Sequence, residues 1–357
     1  MYTAESIASL FPDGTHILPD PQAPVRHVCI DSRKAAWQPQ AIFLALQGAR
    51  ADGHRYIQDA WNQGVRNFLV QEQIDLTQLP EGNFIRVPNV LEAFHVLAAH
   101  HRDNYTGKVV AIIGSNGKTW VKEWLYMLMY RDLSVYRSPG SYNSQVGVPL
   151  SVWNIPLETS YAIIEAGISS PGEMIKLQKI IRPDIVVFTH FGDAHDEGFG
   201  GDIHAKLSEK LIMCADATSI VFPHDQPLVY DTIRKSFPDK FQFTWSMHGL
   251  GLINGSAEKV GDVSNVTVQL EDKQYTYNLP FTGIVPVSNS LVCLTTFVAL
   301  GIPIEGRLKA FEDLQPIDMR LKAEDGIQGC VLINDSYSLD LDSLQYALES
   351  LDIAGQT

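Results

Sequence analysis

Six consecutive residues, Gly114-Ser115-Asn116-Gly117-Lys118-Thr119, combine two glycines, a lysine and a hydroxyl, a set suited to holding phosphate groups. Glycines let backbone N–H groups fold around phosphate oxygens, a following helix adds its positive end, the lysine reaches the outer phosphates, and the threonine hydroxyl can bind Mg2+. The apolar run Val109-Val110-Ala111-Ile112-Ile113 before the loop and the helical pattern from Lys118 to Tyr130 after it supply the strand and helix that such a loop requires. Ile112 stands where the GxxxxGK[ST] form has its first glycine, so this is a shortened variant. The competing reading is a glycine turn with a chance Lys-Thr, and the flanking elements weigh against it. Glu165, in Ile164-Glu165-Ala166-Gly167, falls at a strand end where a carboxylate can hold a metal, although a lone glutamate there is usually just solvated. His195 stands near Asp193, Asp196 and Glu197, and these acids could form a metal cluster. A nucleotide loop alone fits a kinase, an ATPase, a motor or a ligase.

The elements that must position these residues follow from periodicity. Residues 1–103 alternate strand-like runs (Arg26 to Ile30, Ile42 to Leu46, Phe68 to Gln71, Phe84 to Val87) with helical stretches, ending in a helix from Val90 to Arg102 that Asn89 caps. Beyond Asn104, apolar strands at Val109 to Ile113, Ala162 to Ile164, Ile185 to Phe188 and Ser219 to Phe222 alternate with helices. That alternation predicts an α/β protein with a central, doubly wound parallel sheet, whose ligand site lies at the carboxyl ends of its strands. Val266 to Leu279 reads as a hairpin turning at Glu271-Asp272-Lys273, and a helix is expected from Ser288 to Leu300. After Arg307 a strand at Cys330 to Ile333 and a helix from Leu341 open a third unit. The expected domains are therefore 1–103, 104–312 and 313–357, the last too short for a typical domain and read as a truncated Rossmann-like unit.

Composition narrows the function classes. Of 357 residues, 45% are hydrophobic and 19% charged, so a packed core is expected and disorder is not. A net charge of -14 argues against nucleic-acid or membrane-surface partners, which would need a basic face. Cys29, Cys214, Cys293 and Cys330 lie far apart without a CxxC pair and read as buried thiols in a reducing compartment. The N-terminus has no signal-like pattern and no stretch of about 18 apolar residues occurs; a cytoplasmic protein is expected.

Read on through Trp120-Val121-Lys122-Glu123, the phosphate loop resembles that of the Mur ligases, the MurF branch in particular. Further segments resemble the same family in order along the chain. Asp31-Ser32-Arg33, Ile42 to Gly48 and Asp52-Gly53-His54 are similar to signatures of its UDP-substrate domain; the resemblance implies precursor contacts at Ser32, Arg33, Gly48, Asp52 and His54, and hydroxyl, guanidinium and glycine amide groups suit uracil and diphosphate oxygens. Asn143, in Tyr142 to Pro149, resembles the family's substrate-side asparagine. Glu165 matches the Mg2+-binding glutamate and His195, in Ala194 to Gly200, the metal-site histidine. The family's carbamylated lysine has two candidates, Lys210 in Glu209-Lys210-Leu211-Ile212 and Lys206 in Ala205-Lys206-Leu207, with Lys210 fitting the pattern better. Asn289 resembles the adenine-side asparagine, although Ile284-Val285-Pro286 replaces the usual His-Asn pair before it. Arg320 and Asp335 resemble the arginine and aspartate brought to the γ-phosphate and the ribose.

The resemblance implies an ATP-dependent ligase that adds D-alanyl-D-alanine to UDP-N-acetylmuramoyl-tripeptide, with Mg2+. Lys118 and Arg320 would serve the phosphates, Thr119, Glu165 and His195 the metals, and the carbamate of Lys210 metal support. The Asn-Asp-Ser-Tyr run at 334–337 and the Trp-Val-Lys-Glu variant also resemble proteins in which a MurF module precedes an alanine racemase, so a fused racemase downstream is expected, as is impaired ligation by a chain without most of its third domain. The alternatives are a Mur ligase adding the third amino acid, a folylpolyglutamate synthase, against which the UDP-domain motifs speak, and a non-catalytic UDP-precursor-binding module.

Overall fold

The computed structural model describes residues 2–48, 51–75, 77, 79–192, 196–317, 322–334, 336, 344 and 348. The chain divides into two compact units, residues 1–105 with 149–155, and residues 106–148 with 156–357.

In the first unit β1 (Tyr2–Thr3) leads into α1 (Ala4–Ala8), which Thr3 and Ser6 close as a capping box. Then come β2 (Thr15–Ile17), β3 (Pro24–Val25), β4 (His27–Cys29), β5 (Ala41–Leu44), α2 (Ile57–Asn62), β6 (Asn67–Val70), β7 (Asn83–Arg86) and α3 (Val90–Asp103). The sheet order is β2-β7-β6-β5-β4, antiparallel at β2 and parallel elsewhere. Phe43, Phe68 and Phe84 fill its core, with the Phe68 and Phe84 rings stacked 4.9 Å apart. Helix α3 starts where the Asn89 side chain accepts the Glu92 N–H at 3.0 Å, and it buries Val90, Ala93, Phe94, Leu97 and Ala98, the helical spacing of one apolar face.

The second unit carries β8 (Lys108–Ile113), α4 (Lys118–Met129), β9 (Val135–Arg137), α5 (Gly147–Trp153), β10 (Tyr161–Glu165), α6 (Glu173–Ile181), β11 (Ile185–Phe188), α7 (Ile203–Leu211), β12 (Ser219–Pro223), α8 (Pro227–Ser236), β13 (Phe241–Ser246), β14 (Ile253–Val260), β15 (Val263–Leu270), β16 (Lys273–Leu279) and α9 (Ile284–Leu300), with a ribbon of β17 (Lys322–Asp325) and β18 (Val331–Asn334); α5 passes to the first unit from residue 149. Nine strands form one sheet in the order β16-β15-β14-β13-β12-β11-β8-β10-β9. From β9 to β14 all neighbours are parallel, and β15 and β16 extend the sheet as an antiparallel hairpin. The chain is α/β, as the alternation of elements implied. After β8 it winds out to β9 and back to β10, then crosses to β11 on the other side of β8. The winding direction reverses there, so the carboxyl ends of β8, β10 and β11 open into a crevice, the usual ligand position in such sheets.

Helix α9 has no charged residue and packs into the core along most of its length, as a helix apolar on all faces must. Its buried hydroxyls are satisfied locally: Ser290 by Tyr277, and Thr295 and Thr296 by the carbonyls of Leu291 and Val292. Among the described residues no helix is long and apolar enough to cross a membrane.

Three expectations are corrected. Helix α9 begins at Ile284 rather than Ser288, because Pro286 lies in its first turn, where no intrahelical N–H is required. The sheet gains β9, β13 and β14, which the sequence alone did not mark. Cys29, Cys214 and Cys293 are buried, with the Cys214 thiol pushed up to about 12 by burial. Cys330, which directly precedes β18, is exposed.

Candidate nucleotide site

The loop after β8 is pinned to the end of β11. The Ser115 N–H donates to the His190 carbonyl at 2.7 Å, and the Thr189 hydroxyl reaches the carbonyls of Asn116 at 2.6 Å and Ile113 at 3.1 Å. Gly114 (φ 137°) and Gly117 (φ 84°) hold backbone conformations that side chains rarely adopt. A Cβ on Gly114 would lie 2.2 Å from Thr189 Oγ1, and one on Gly117 would lie 2.8 Å from Asn289 Oδ1. Conformation favours glycine at both positions, and at Gly114 close approach to Thr189 and the His190 backbone demands it as well. Gly117 caps α4 with its left-handed turn, which directs the helix N-terminus at the crevice.

Lys118, the first residue of α4, folds its ammonium over the loop carbonyls of Gly114 (3.1 Å) and Ser115 (2.7 Å). Thr119 is buried and donates to Glu165 Oε2 at 3.0 Å. Glu165 ends β10 with 1% of its surface exposed, and its other oxygen accepts Asn143 Nδ2 at 2.7 Å. Loop, strand end and the segment after β9 thus converge on one carboxylate. Lys210 on α7, also buried, donates to the Gly114 carbonyl at 3.1 Å. Lys206, one turn earlier, is buried but points its ammonium at the Gly192 carbonyl (2.6 Å) and over the Phe191 ring. A cavity of about 310 Å³ is lined by Lys118, Asn143, Gly167, Glu173 and Lys210 among others, without Lys206. Asn289 on α9 is buried against the loop, its Nδ2 without a hydrogen-bond partner in the structure, which is costly unless a ligand or water satisfies it.

The structure therefore brings Gly114, Ser115, Asn116, Gly117, Lys118, Thr119, Asn143, Glu165, Lys210 and Asn289 to one crevice. His195, Arg320 and Asp335 lie outside the described residues, as do Asp193 and the side chains of Asp196 and Glu197.

In the first unit, Asp31 caps the short 3-10 turn Ser32–Trp37 by accepting the Arg33 N–H. Its carboxylate also takes Arg33 Nε at 2.9 Å and Nη2 at 2.8 Å, and these bonds hold it below the ordinary aspartate value. The Arg33 side chain is otherwise open to solvent and Ser32 is buried. Asp52 caps the turn Gly53–Tyr56 and is likewise held low, first by the His54 N–H and then by the His54 ring. Gly53 sits so close to the backbone that follows β5 that a Cβ would meet Leu46 N at 2.7 Å, while Gly48 is exposed and donates to the Ala51 carbonyl at 2.9 Å. His54 Nδ1 bonds Asp52 at 2.7 Å, and Nε2 accepts the N–H groups of Gln71 (3.1 Å) and Glu72 (3.4 Å). The clustering of Asp52, His54 and Glu72 is consequently a set of loop-fixing bonds: both imidazole nitrogens are already used, so a metal would have to displace backbone donors.

Sequence reasoning assigned no role to three residues of the crevice. Thr189 ties the loop to β11, the Ser141 hydroxyl lies 3.3 Å from that of Thr119, and Lys122 is buried beside Glu165 at 3.7 Å. Lys122 follows Lys118 and Thr119 at i+4 and i+3 on α4, a spacing that places it on their face of the helix; that was the available signal.

Residues 112–297, just over half of the chain, match the profile of the Mur ligase middle domain, and residues 24–102 match that of the Mur ligase family catalytic domain. The chain belongs to the Mur ligase family. A Bacillus subtilis relative, UDP-N-acetylmuramoyl-tripeptide--D-alanyl-D-alanine ligase, is 28% identical over 352 residues, 97% of this chain and 74% of the relative. The crystal structure of MurF from Acinetobacter baumannii superposes with a TM-score of 0.88 at 24% identity, covering 98% of this chain and 76% of that one. MurF from Thermotoga maritima in complex with ADP gives 0.80 at 24% identity, covering 92% and 74%. At such identities the superpositions establish a shared Mur ligase fold, of which this chain spans about three quarters of the length.

Proposed function

We propose that this chain belongs to a cytoplasmic, ATP-dependent amide ligase that joins D-alanyl-D-alanine to UDP-N-acetylmuramoyl-tripeptide during peptidoglycan precursor synthesis. The observation that carries the reading is the meeting of Lys118, Thr119, Glu165, Asn143 and Lys210 around one crevice at the switch point of the sheet.

A carboxylate does not form an amide at neutral pH, because its leaving group would be oxide. In the proposed route a terminal carboxylate oxygen of the tripeptide attacks the γ-phosphorus of ATP, the bond to the bridging oxygen breaks, and ADP departs. The amine of D-alanyl-D-alanine then attacks the acyl carbon, phosphate leaves with the C–O electron pair, and the amine loses a proton. The protein's task in the first step is positioning and charge neutralisation. Lys118 sits where its ammonium can exchange loop carbonyls for phosphate oxygens, and the N-terminus of α4 adds a fixed dipole. Lys210 and Asn143 line the adjoining cavity, where the acceptor carboxylate would lie. The buried Asn289 amide is positioned to hydrogen-bond the nucleotide.

The donor set fits Mg2+, a hard ion that takes few protein oxygens beside phosphate oxygens: a threonine hydroxyl and a carboxylate 3.0 Å apart face the loop. Thr119 and Glu165 would hold it, with His195 at a second position, and when bound it neutralises charge on the transferring phosphoryl group. By resemblance, Lys210 would carry a carbamate supporting the second ion, and Arg320 and Asp335 would reach the γ-phosphate and ribose. In the first unit Ser32, Arg33, Gly48 and the turn held by Asp52 and His54 would bind the UDP end of the precursor.

Calorimetric titration with Mg-ATP tests the nucleotide part. Wild type should bind, and Lys118→Ala should fold normally but lose detectable binding; unchanged affinity in the variant would remove the phosphate-loop assignment.

A further inference from the structure

We infer that Lys122 is a positioning residue that holds the Glu165 carboxylate and the segment carrying Ser141 and Asn143 in register for the metal-nucleotide complex. The inference rests on the nucleotide reading above and adds a residue to it.

Lys122 is completely buried on α4, one turn beyond the loop. A buried ammonium is strongly disfavoured unless it is paired and hydrogen-bonded. Here it has three partners on three different segments. Its Nζ donates to the carbonyl of Gly140, lies 3.7 Å from Glu165 Oε2, and lies 3.2 Å from Glu123 Oε1. Glu123 is balanced in turn by Arg137 at 2.6 Å, so the cluster holds two cations and two carboxylates. Glu165 is the member with the larger consequence. Its Oε2 is shared between the Thr119 hydroxyl and the Lys122 ammonium, its Oε1 takes Asn143, and its own N–H donates to the Ser138 hydroxyl at 3.2 Å.

The geometry separates Lys122 from the phosphate loop itself. It makes no described contact with Gly114, Ser115 or Asn116, and its bonds run to the strand end and to the turn at Gly140. Gly140 precedes Ser141, whose hydroxyl meets Thr119, and Asn143, whose amide holds Glu165. Lys122 therefore links the two sides of the oxygen cluster that Thr119 and Glu165 form. Without the ammonium, Glu165 keeps only neutral donors in a site with 1% exposure, and the Gly140 turn loses its anchor. The metal-dependent part of nucleotide binding should suffer, while contacts of the loop with phosphate should not. Partners that orient metal ligands typically contribute about 10- to 100-fold in metal affinity.

The test is titration of ADP into wild type, Lys122→Met and Glu123→Gln, each with EDTA and with saturating Mg2+, alongside urea unfolding of all three. Wild type is expected to bind ADP more tightly with Mg2+. Lys122→Met should match wild type in EDTA and lose most of the Mg2+-dependent gain, by roughly tenfold or more. Glu123→Gln, which removes the other carboxylate beside Lys122 without touching Glu165, should keep the gain. If the methionine variant does not fold, Lys122→Gln, which retains a donor for Gly140 without the charge, carries the same comparison. A full Mg2+ gain in the Lys122 variant overturns the inference, and so does a loss of equal size in EDTA and Mg2+, since that marks a merely structural role. A wild-type protein whose ADP binding ignores Mg2+ overturns the metal-nucleotide reading itself, and is told apart because the failure lies in the wild type.

Discussion

Gly114→Ala should damage the loop more than any other single methyl group in it. The glycine has φ 137°, and an added Cβ would fall 2.2 Å from Thr189 Oγ1 and 3.0 Å from the His190 carbonyl. Holding a non-glycine residue at such a φ costs about 1–3 kcal/mol. The threonine cannot yield without cost, because its hydroxyl holds the Asn116 carbonyl at 2.6 Å and the Ile113 carbonyl at 3.1 Å; one lost hydrogen bond adds about 1 kcal/mol. The expected loss of stability is therefore about 2–4 kcal/mol, with the loop displaced from β11 in whatever remains folded. Gly117→Ala makes the informative contrast: its φ is also positive, at 84°, but its Cβ would meet the end of the Asn289 side chain at 2.8 Å, which can turn away at a smaller cost. Urea unfolding gives the stabilities and ATP titration the binding. A Gly114→Ala protein that unfolds like wild type and binds ATP with unchanged affinity would refute the claim that close packing on Thr189 fixes this loop.

Three further outcomes are expected. Arg307 is nearly buried and donates to the Leu128 carbonyl at 2.7 Å and to both oxygens of Asp132; Arg307→Ala should lower stability in urea by about 2 kcal/mol, less than for a fully buried pair because Asp132 is half exposed. His101 is pushed below the ordinary histidine value of 6.5 by burial, against the opposing bond to the Ile155 carbonyl, so the unfolded chain takes up its proton first. Its contribution to stability is full above pH 6.5 and is lost as pH falls toward the lower folded value, and urea midpoints of His101→Phe should show a flatter dependence over that window than wild type. In the full-length protein, Lys210→Ala should abolish phosphate release and recover part of it with added short-chain carboxylates, while Lys206→Ala should stay near wild type; the reverse pattern would move the carbamate to Lys206.

Much of the fold was legible because its strands are buried on both faces and read as continuous apolar runs. Val109 to Ile113, Ile185 to Phe188 and Ser219 to Phe222 carry that mark, and each is a strand. Strand β14 lacked it: after Ile253 and Gly255 its residues are exposed, so Ser256, Glu258 and Lys259 face solvent and no alternation survives. Strand β13 is only half covered at its start, with Phe241 exposed. The phosphate loop was legible from residue types alone. Lys122 was not, because a lysine on an amphipathic helix is ordinarily read as solvent-facing, and its partners at Gly140 and Glu165 are distant in sequence. The inward turn of the His54 ring was hidden for a similar reason: two of its bonds go to backbone N–H groups of residues 71 and 72, which no side-chain pattern records.

Phosphorylation of the precursor carboxylate at the Lys118 crevice leaves an isotopic signature in the phosphate that is released. UDP-N-acetylmuramoyl-tripeptide labelled with 18O in its terminal carboxylate should be turned over by the full-length protein with ATP, Mg2+ and D-alanyl-D-alanine, and the released phosphate analysed by mass spectrometry. Attack of that carboxylate on the γ-phosphorus, followed by C–O cleavage, predicts one 18O atom in each phosphate formed. Phosphate released without label would contradict the acyl-phosphate route and the role given to the crevice.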